Sequence, residues 1–504
     1  MYKRKLNQTT IFESPEMFGG LELNPENEWV KLSKIIPWWV FEEEYAKQFP
    51  SGKGQPAESF RAALGSQLIK EKYQFSDEMT VAEIAMNPYL QYFIGLTEYQ
   101  SVAPFHPSMM TRFRLRLTTE IICDINDIII GRRTAEEIIE ARKSRDDTKA
   151  EDQENGGSTD GSGEADSNAG TDSGDAEEQP NEGTLILDAT CAPQAIRFPT
   201  DTSLLNEARL NAEGVIDSLH EKGLTDPDKA KPRTYREEAK KNYNRFSKNR
   251  KKNKKNIRKC KRQQLNYLKR DLGIIDKIIA AHPDTWKDAL TPWQIERLAV
   301  IRVLYRQQRE MYEQKTNRVD DRIVSLSQSW VRPIVRGKQN APVEFGAKVE
   351  MSDIDGYLRI ELLSWNAFNE SRTLQDSVEA YRKAYGHYPE RVLADTIFRT
   401  SENIRYCKSH GIHLNGPKLG RPSKDPKVRK EELRLEWQES GERGDIERRF
   451  GIGKRCYSLG NVTAKLKHTS EIMIHMSVLM INLQKRLRLL LRCFFVFLRK
   501  SAFD

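Results

Sequence analysis

The succession of apolar and polar positions predicts helices first, then a mixed run of strands and helices. Over residues 58–73, Phe60, Ala63, Leu64, Leu68 and Ile69 recur at the three- and four-residue spacing of a helix buried along one face. A second short helix starts at Val81–Ile84, ahead of Asn87-Pro88, and FHPSMMTRFRLRL (105–117) predicts a basic amphipathic helix. Several short helices punctuated by Pro and Gly predict a compact all-α domain over residues 1–145. It suits a helix-turn-helix-like DNA reader and a plain helical scaffold equally. The pattern then changes. TLIL (184–187) reads as a short strand ending in Asp188, and residues 203–325 turn helical again. Strand signals return at Val343–Met351 and at Tyr357–Trp365, whose YLRIELLSW alternates. A helix at Ser377–Tyr385, a strand at Arg391–Ala394 ending in Asp395, a helix at Ser401–His410 and a strand at Ile412–Leu414 follow. From Lys427 onward the chain reads as helix broken by glycines 441, 444, 451, 453 and 460. The apolar run Ile472–Leu498 predicts a long amphipathic core helix rather than a membrane span, because Lys485, Arg486, Arg488 and Arg492 interrupt it. The fold class expected is α/β, a mixed sheet flanked by helices, with an all-α N-terminal domain and a helical insertion at 203–330.

Composition sharpens the boundaries. The chain has 504 residues, 38% hydrophobic and 31% charged, which is polar for one compact globule. Asp146–Glu182 holds thirteen acids against one base and lacks every aromatic and every Val, Ile, Leu and Met. Such a window cannot bury enough apolar surface to offset the entropy of ordering, so 146–182 is expected to be a disordered acidic linker. The opposite extreme is Lys240–Arg262, with thirteen Lys or Arg, no acid, and Tyr243 and Phe246 among them. Cations there neutralise phosphates and aromatics stack on bases, so Lys251, Lys252, Lys254 and Lys255 are candidate DNA contacts. A solvated basic face is the competing reading. The six cysteines stand singly with no CxxC pair, which excludes a zinc ribbon, and a disulfide framework is not expected. The opening MYKRKLNQTTIFESPEM has no apolar core of a secretion signal, so secretion is not expected.

Asp188 and Asp395, each at the end of an apolar strand, are placed where α/β sheets carry their sites. Hard divalent cations take oxygen ligands, so converging carboxylates suit phosphoryl chemistry. Either Asp alone is also explained as a cap on the turn that follows. A third acid comes from GERGDIERRFGIGKRCYSLG (441–460). At about 100° per residue, Glu447 falls roughly 40° and Lys454 roughly 20° from Arg443, one stripe if the helix persists through Gly451 and Gly453. An ordinary salt-bridged surface helix has the same spacing.

The ordered blocks LGSQLIKEKYQFSDEMTVAEIAMNPYLQYFIGL, LDATCAPQAIRFPTDTSLLNEAR, DRIVSLSQSWVRPIVRGKQNAPVEFGAKVEMSDIDGYLRIELLSW, LADTIFRTSENIRYCKSHGIHLNGPKLGRP and IERRFGIGKRCYSLGNVTAKLKHTSE carry a resemblance. From about residue 12 to about 485 the chain resembles bacterial insertion-sequence transposases of the DDE type, close to insertion-sequence family five. The resemblance implies a ribonuclease-H-like catalytic core over 183–485, with Asp188, Asp395 and Glu447 as catalytic and metal-binding triad. The family signature Tyr-x2-Arg-x3-Glu-x6-Lys is met by Arg443, Glu447 and Lys454, while Ser440 stands at the Tyr position. Glu442 and Asp445 are the nearest rivals for the third ligand. The resemblance implies two Mg²⁺ ions, with Mn²⁺ able to substitute, about 4 Å apart. It implies phosphate contacts from Arg443 and Lys454, and more weakly from Arg448, Arg455 and Lys418. It also implies double-stranded DNA as partner, both terminal inverted repeats and target, a homodimer on that DNA, no membrane, and a place on the nucleoid in bacterial cytoplasm. The activity implied is strand cleavage and strand transfer. The alternatives are a non-catalytic DNA-binding protein descended from a decayed transposase, and a plain metal nuclease. Residues 486–504 are an unassigned C-terminal tail.

Overall fold

The computed structural model describes residues 18–49, 56–154, 180–225, 231–335, 343–417, 420 and 425–501, with backbone alone at 146–154 and 492–501. Eight helices form the N-terminal region: α1 Glu28–Ile35, α2 Trp38–Lys47, α3 Phe60–Tyr73, α4 Asp77–Met86, α5 Pro88–Phe93, α6 Ser108–Arg116, α7 Thr119–Ile129 and α8 Ala135–Glu154. Their starts are set by side-chain caps. Ser59, Ser76 and Thr118 accept from the backbone N–H of Ala62, Met79 and Ile121, which satisfies donors that a helix leaves open. The helix α8 carries the backbone to Glu154, nine residues into the predicted linker, because 146–154 keep good helix formers (Glu, Lys, Ala, Gln) despite their charge. The stretch 155–179 lies outside the described residues.

The sheet contains β1 Thr184–Pro193, then, after four insert helices (α9 Asp201–Glu221, α10 Arg236–Lys248, α11 Lys254–Ala281, α12 Pro292–Glu313), β2 Arg332–Val335, β3 Val343–Ile354 and β4 Tyr357–Ser364. The helix α13 Leu374–Tyr385, β5 Arg391–Ala394, α14 Ser401–Ser409 and β6 His413–Leu414 complete it. The order is β2-β3-β1-β5-β6, with β4 also paired to β3. The strands β1, β3 and β4 run antiparallel to their neighbours in turn, whereas β5 and β6 continue parallel to β1. Asp355 and Gly356 close the β3–β4 hairpin, both in the left-handed region that such two-residue turns demand.

The strand β1 is longer than TLIL suggests. Asp, Ala and Pro are poor strand formers, yet this central strand is held over Ile186–Pro193 by β3 on one side and over Thr184–Leu187 by β5 on the other. Asp188 therefore sits inside the strand, not at its end. It stands where the parallel pairing with β5 stops.

Two long helices follow, α15 Pro426–Cys456 and α16 Lys467–Ser501. The expected breaks at Gly441, Gly444, Gly451 and Gly453 do not occur: α15 runs continuously through all four. A glycine costs a helix about 1 kcal/mol against Ala, which packing of Ile446 and Phe450 onto the sheet outweighs. Side chains alternate across the sheet. Leu185, Leu187, Val392 and Ala394 pack with Val378 of α13 and Cys407 of α14. Ala192, Val349 and Met351 pack on the opposite face with Ile446 and Phe450 of α15 and Ile474 and Val478 of α16.

The helix α16 packs against both the N-terminal helices and the sheet. Its Ile472, Met476, Leu479, Met480, Leu483 and Leu487 enter the core of the N-terminal helices, beside Phe60, Leu68, Phe113 and Ile125. The all-α domain and the sheet thus share a helix, and residues 486–501 continue it rather than forming a loose tail. No helix among the described residues is long and apolar enough to cross a membrane.

Candidate active site

Strand alternation decides which way the acids face. Asp188 has the parity of Ala192, so it looks toward α15. Leu187 pairs with Ala394, so the next step of the register brings Asp188 beside Asp395, which follows β5 directly. Arg443 and Glu447 lie on the part of α15 that crosses above them. One guanidinium nitrogen of Arg443 stands 3.8 Å from Asp188 Oδ2 and another 3.1 Å from Glu447 Oε1. Residues from five separate segments consequently line one cleft of about 570 Å³: Asp188, Asp395, Arg443, Glu447 and Lys454, together with Lys348 and Glu370.

The three acids are not equivalent. Asp188 is largely buried, and its Oδ1 accepts from the N–H of Ala189 at 2.8 Å. Burial pushes its carboxyl up to about 6; the Ala189 N–H and the Arg443 guanidinium oppose this, and the charges of Glu447 and Glu370 add to it. Asp395 is exposed, and its Oδ1 accepts from the N–H of Thr396 at 2.6 Å, capping the short turn Thr396–Phe398. Both readings of Asp395 hold at once: it caps the turn and lines the cleft. Glu447 is more than half exposed at the cleft mouth. No group of three or more His, Cys, Asp or Glu among the described residues is gathered tightly enough to hold an ion as it stands. The Arg443 guanidinium occupies the gap between two of the carboxylates.

The rivals of Glu447 are engaged elsewhere. Glu442 pairs with Arg391 at 3.1 Å, and Asp445 pairs with Arg448 one turn along the surface of α15. Neither lines the cleft. Arg448 and Arg455 are exposed outside it, and Lys418 lies outside the described residues. Ser440 is exposed on α15. In the insert, Lys251, Lys252, Lys254 and Lys255 are all exposed around the start of α11, with the Lys252 ammonium 5.5 Å from the Phe246 ring centre.

Three further residues escaped sequence reasoning. Lys348 pairs with Glu370 at 2.7 Å and donates to the Phe368 carbonyl at 2.7 Å. Glu350, fully buried, accepts from Thr373 Oγ1 at 2.5 Å, and burial together with the Glu370 and Glu361 charges pushes it up to about 7. The only sequence signal was the charged KVE inside the apolar strand β3, a pattern that a buried polar network explains.

Two segments of the chain are similar to known transposase domains. Residues 392–484 match the family model described as a transposase DDE domain, and residues 21–116 match one described as a transposase domain (DUF772). The first segment contains Asp395, Arg443, Glu447 and Lys454, whereas Asp188 precedes it. An uncharacterized protein, ORF8 in the nfe locus of Rhizobium meliloti, is 36% identical over 95 residues, 19% of this chain and 45% of the relative's own length. The chain thus covers less than half of that relative. No solved structure matches.

Proposed function

We propose that this chain, which carries transposase-family segments in both its helical N-terminal region and its sheet-bearing half, is a DDE-type DNA transposase. The observation that carries the reading is the cleft where Asp188, Asp395 and Glu447, from three separate parts of the sequence, meet Arg443 and Lys454. The strand order β4-β3-β1-β5-β6, three antiparallel strands followed by two parallel ones, supports a ribonuclease-H-like core. Membership of insertion-sequence family five is the finer form of the same proposal.

Three carboxylates are hard oxygen donors, and burial, with the Glu447 and Glu370 charges adding to it, disfavours the ionised form of Asp188 that a bound cation would stabilise, so the residues fit Mg²⁺ or Mn²⁺. Bound divalent ions supply the Lewis acidity for attack on a phosphodiester. The protein's own groups do the rest. Arg443 bridges Asp188 and Glu447 in the metal-free state and is freed to bind phosphate when their charge is taken up elsewhere. Lys454 lies about two turns further along the same stripe from Glu447 and extends the cationic track. The β5–turn junction fixes Asp395 through its own cap, so that carboxylate has little freedom to lose on binding. The N-terminal helices and the Lys251–Lys255 region would grip inverted-repeat DNA, and two copies would join the element's two ends.

The test is cleavage of an end-labelled inverted-repeat duplex in Mg²⁺ or Mn²⁺, run beside a gel shift. Asp188→Ala, Asp395→Ala and Glu447→Ala should each abolish cleavage and leave binding intact; Arg443→Ala and Lys454→Ala should weaken cleavage only in part. A wild type that binds but never cleaves in either metal would establish the non-catalytic reading instead.

A further inference from the structure

One short segment, Ser458–Val462, touches α15, the strand β1 and the N-terminal helix α3. It follows α15 directly. Gly460 packs so closely on the last turn of α15 that a Cβ there would meet the Lys454 carbonyl oxygen at 2.3 Å. The Val462 N–H donates to the Pro193 carbonyl at 2.8 Å, and the Ala195 N–H donates to the Val462 carbonyl at 2.8 Å, so the segment also pairs with the end of the strand that carries Asp188. Its third attachment reaches the N-terminal region. Glu71 of α3 is buried, and its Oε1 accepts from the Ser458 N–H at 2.7 Å and from the Ser477 hydroxyl of α16 at 2.6 Å. Its Oε2 accepts from the Ser458 hydroxyl at 2.7 Å.

A buried carboxylate is expensive unless donors surround it. Burial raises the Glu71 carboxyl, while these three donors and the Lys70 charge pull it back. Apolar contacts, which form the shared core of α16 and the N-terminal helices, are non-directional. A carboxylate held by three donors from two other elements instead fixes direction and distance.

We infer that Glu71 is a positioning residue: through Ser458 it sets the seat of α15, and hence of Glu447 and Lys454, against the strand bearing Asp188. The inference rests on the proposed cleft as the reaction site. It makes the N-terminal transposase segment part of the catalytic geometry and not only a DNA reader.

The full-length chain tests it by two readouts. The first is amide hydrogen exchange across 447–462. Glu71→Ala should lose protection there while α3 and α7 keep theirs, and Ser477→Ala should do so more weakly, which covers the case that Glu71→Ala fails to fold. Protection unchanged in both variants overturns the inference, whether or not the wild type cleaves DNA. The second is single-turnover cleavage of bound duplex. Because misplacement by about 1 Å costs on the order of 10²-fold, Glu71→Ala should lose about that much rate at unchanged duplex affinity, with much of it restored in Glu71→Gln. A rate that holds, or that falls only in step with affinity, also overturns it. Failure of the wild type to cleave counts against the transposase reading alone, since exchange still judges the clamp.

Discussion

Two helical regions flank the same sheet and are joined to it in opposite ways. The N-terminal helices share a core with α16 and are tied to the sheet by buried polar contacts. Asn126 and Asn482 both donate to the Leu358 carbonyl, Arg359 pairs with Asp127 at 2.9 Å, and Glu71 holds Ser458. The insert has its own core, Leu205, Ile216, Leu268, Leu272, Ile301 and Leu304 among its members, with a buried Arg209 bonded to Glu213, Gln264 and Asn206. Its basic end faces outward. The difference teaches that helix content does not decide mechanical role: a region that shares its core transmits strain to the cleft, and a region with a private core contributes surface.

The largest expected effect breaks or upholds that contrast directly. Leu479→Ala, in the shared helix, should cost about 2–5 kcal/mol and unfold the N-terminal region and the sheet together. Ile301→Ala should cost a similar amount but be confined to the insert. Exchange protection mapped by region, with cleavage on short duplexes, checks both; a local effect for Leu479→Ala would show that the two regions are separable after all. A smaller effect sharpens the insert's role. Replacing Lys251, Lys252, Lys254 and Lys255 with Gln should weaken specific and random duplex alike and flatten the log affinity against log salt slope by up to about 0.9 per lost phosphate contact. Salt titration of binding measures it, and an unchanged slope would leave the run as a solvated face.

The smallest concerns pH. Neither oxygen of the buried Asp271 finds a hydrogen-bond partner among the described residues, and burial with the Glu213 charge pushes it up to about 7, against Arg209, Arg270 and Arg236. The folded insert then binds a proton that the unfolded chain releases near the ordinary carboxylate value. Its stability should therefore fall as pH rises from about 4 through about 7 and level off above. Thermal melts at pH 5 and pH 8 should differ less in Asp271→Asn than in the wild type. Equal differences would mean Asp271 is charged and solvated in the folded insert.

Much of the sheet was legible. Arg391–Ala394 appears as read, and Val343–Met351 and Tyr357–Trp365 are off only at their C-terminal ends, because alternation and β-branched runs report local pairing. Asp188 was misplaced within its strand because ladder bonds from β3 and β5 override weak local propensity. The stripe of Arg443, Glu447 and Lys454 followed from helical geometry, once the helix proved continuous through its glycines. Lys348, Glu350 and Glu370 stayed hidden, since nothing local shows that a charged strand residue meets a loop some twenty residues later. The shared core stayed hidden for the same reason: the apolar stripe of α16 announces burial, not against what.

The position of α16 at the end of the chain sets an order of assembly. The first hundred residues leave the ribosome with an apolar face that only Ile472–Leu487 can cover, so that face must wait for nearly the whole chain to be made. Closing it joins segments about 400 residues apart, such as Glu71 and Ser477, a long-range step that forms slowly. Glu447 and Lys454 reach the growing molecule just before that closure. A chain cut short between the insert and α16 carries Asp188 and the basic insert yet has no seated α15; on the transposase reading proposed above, such an unfinished product would touch DNA without being able to cut it.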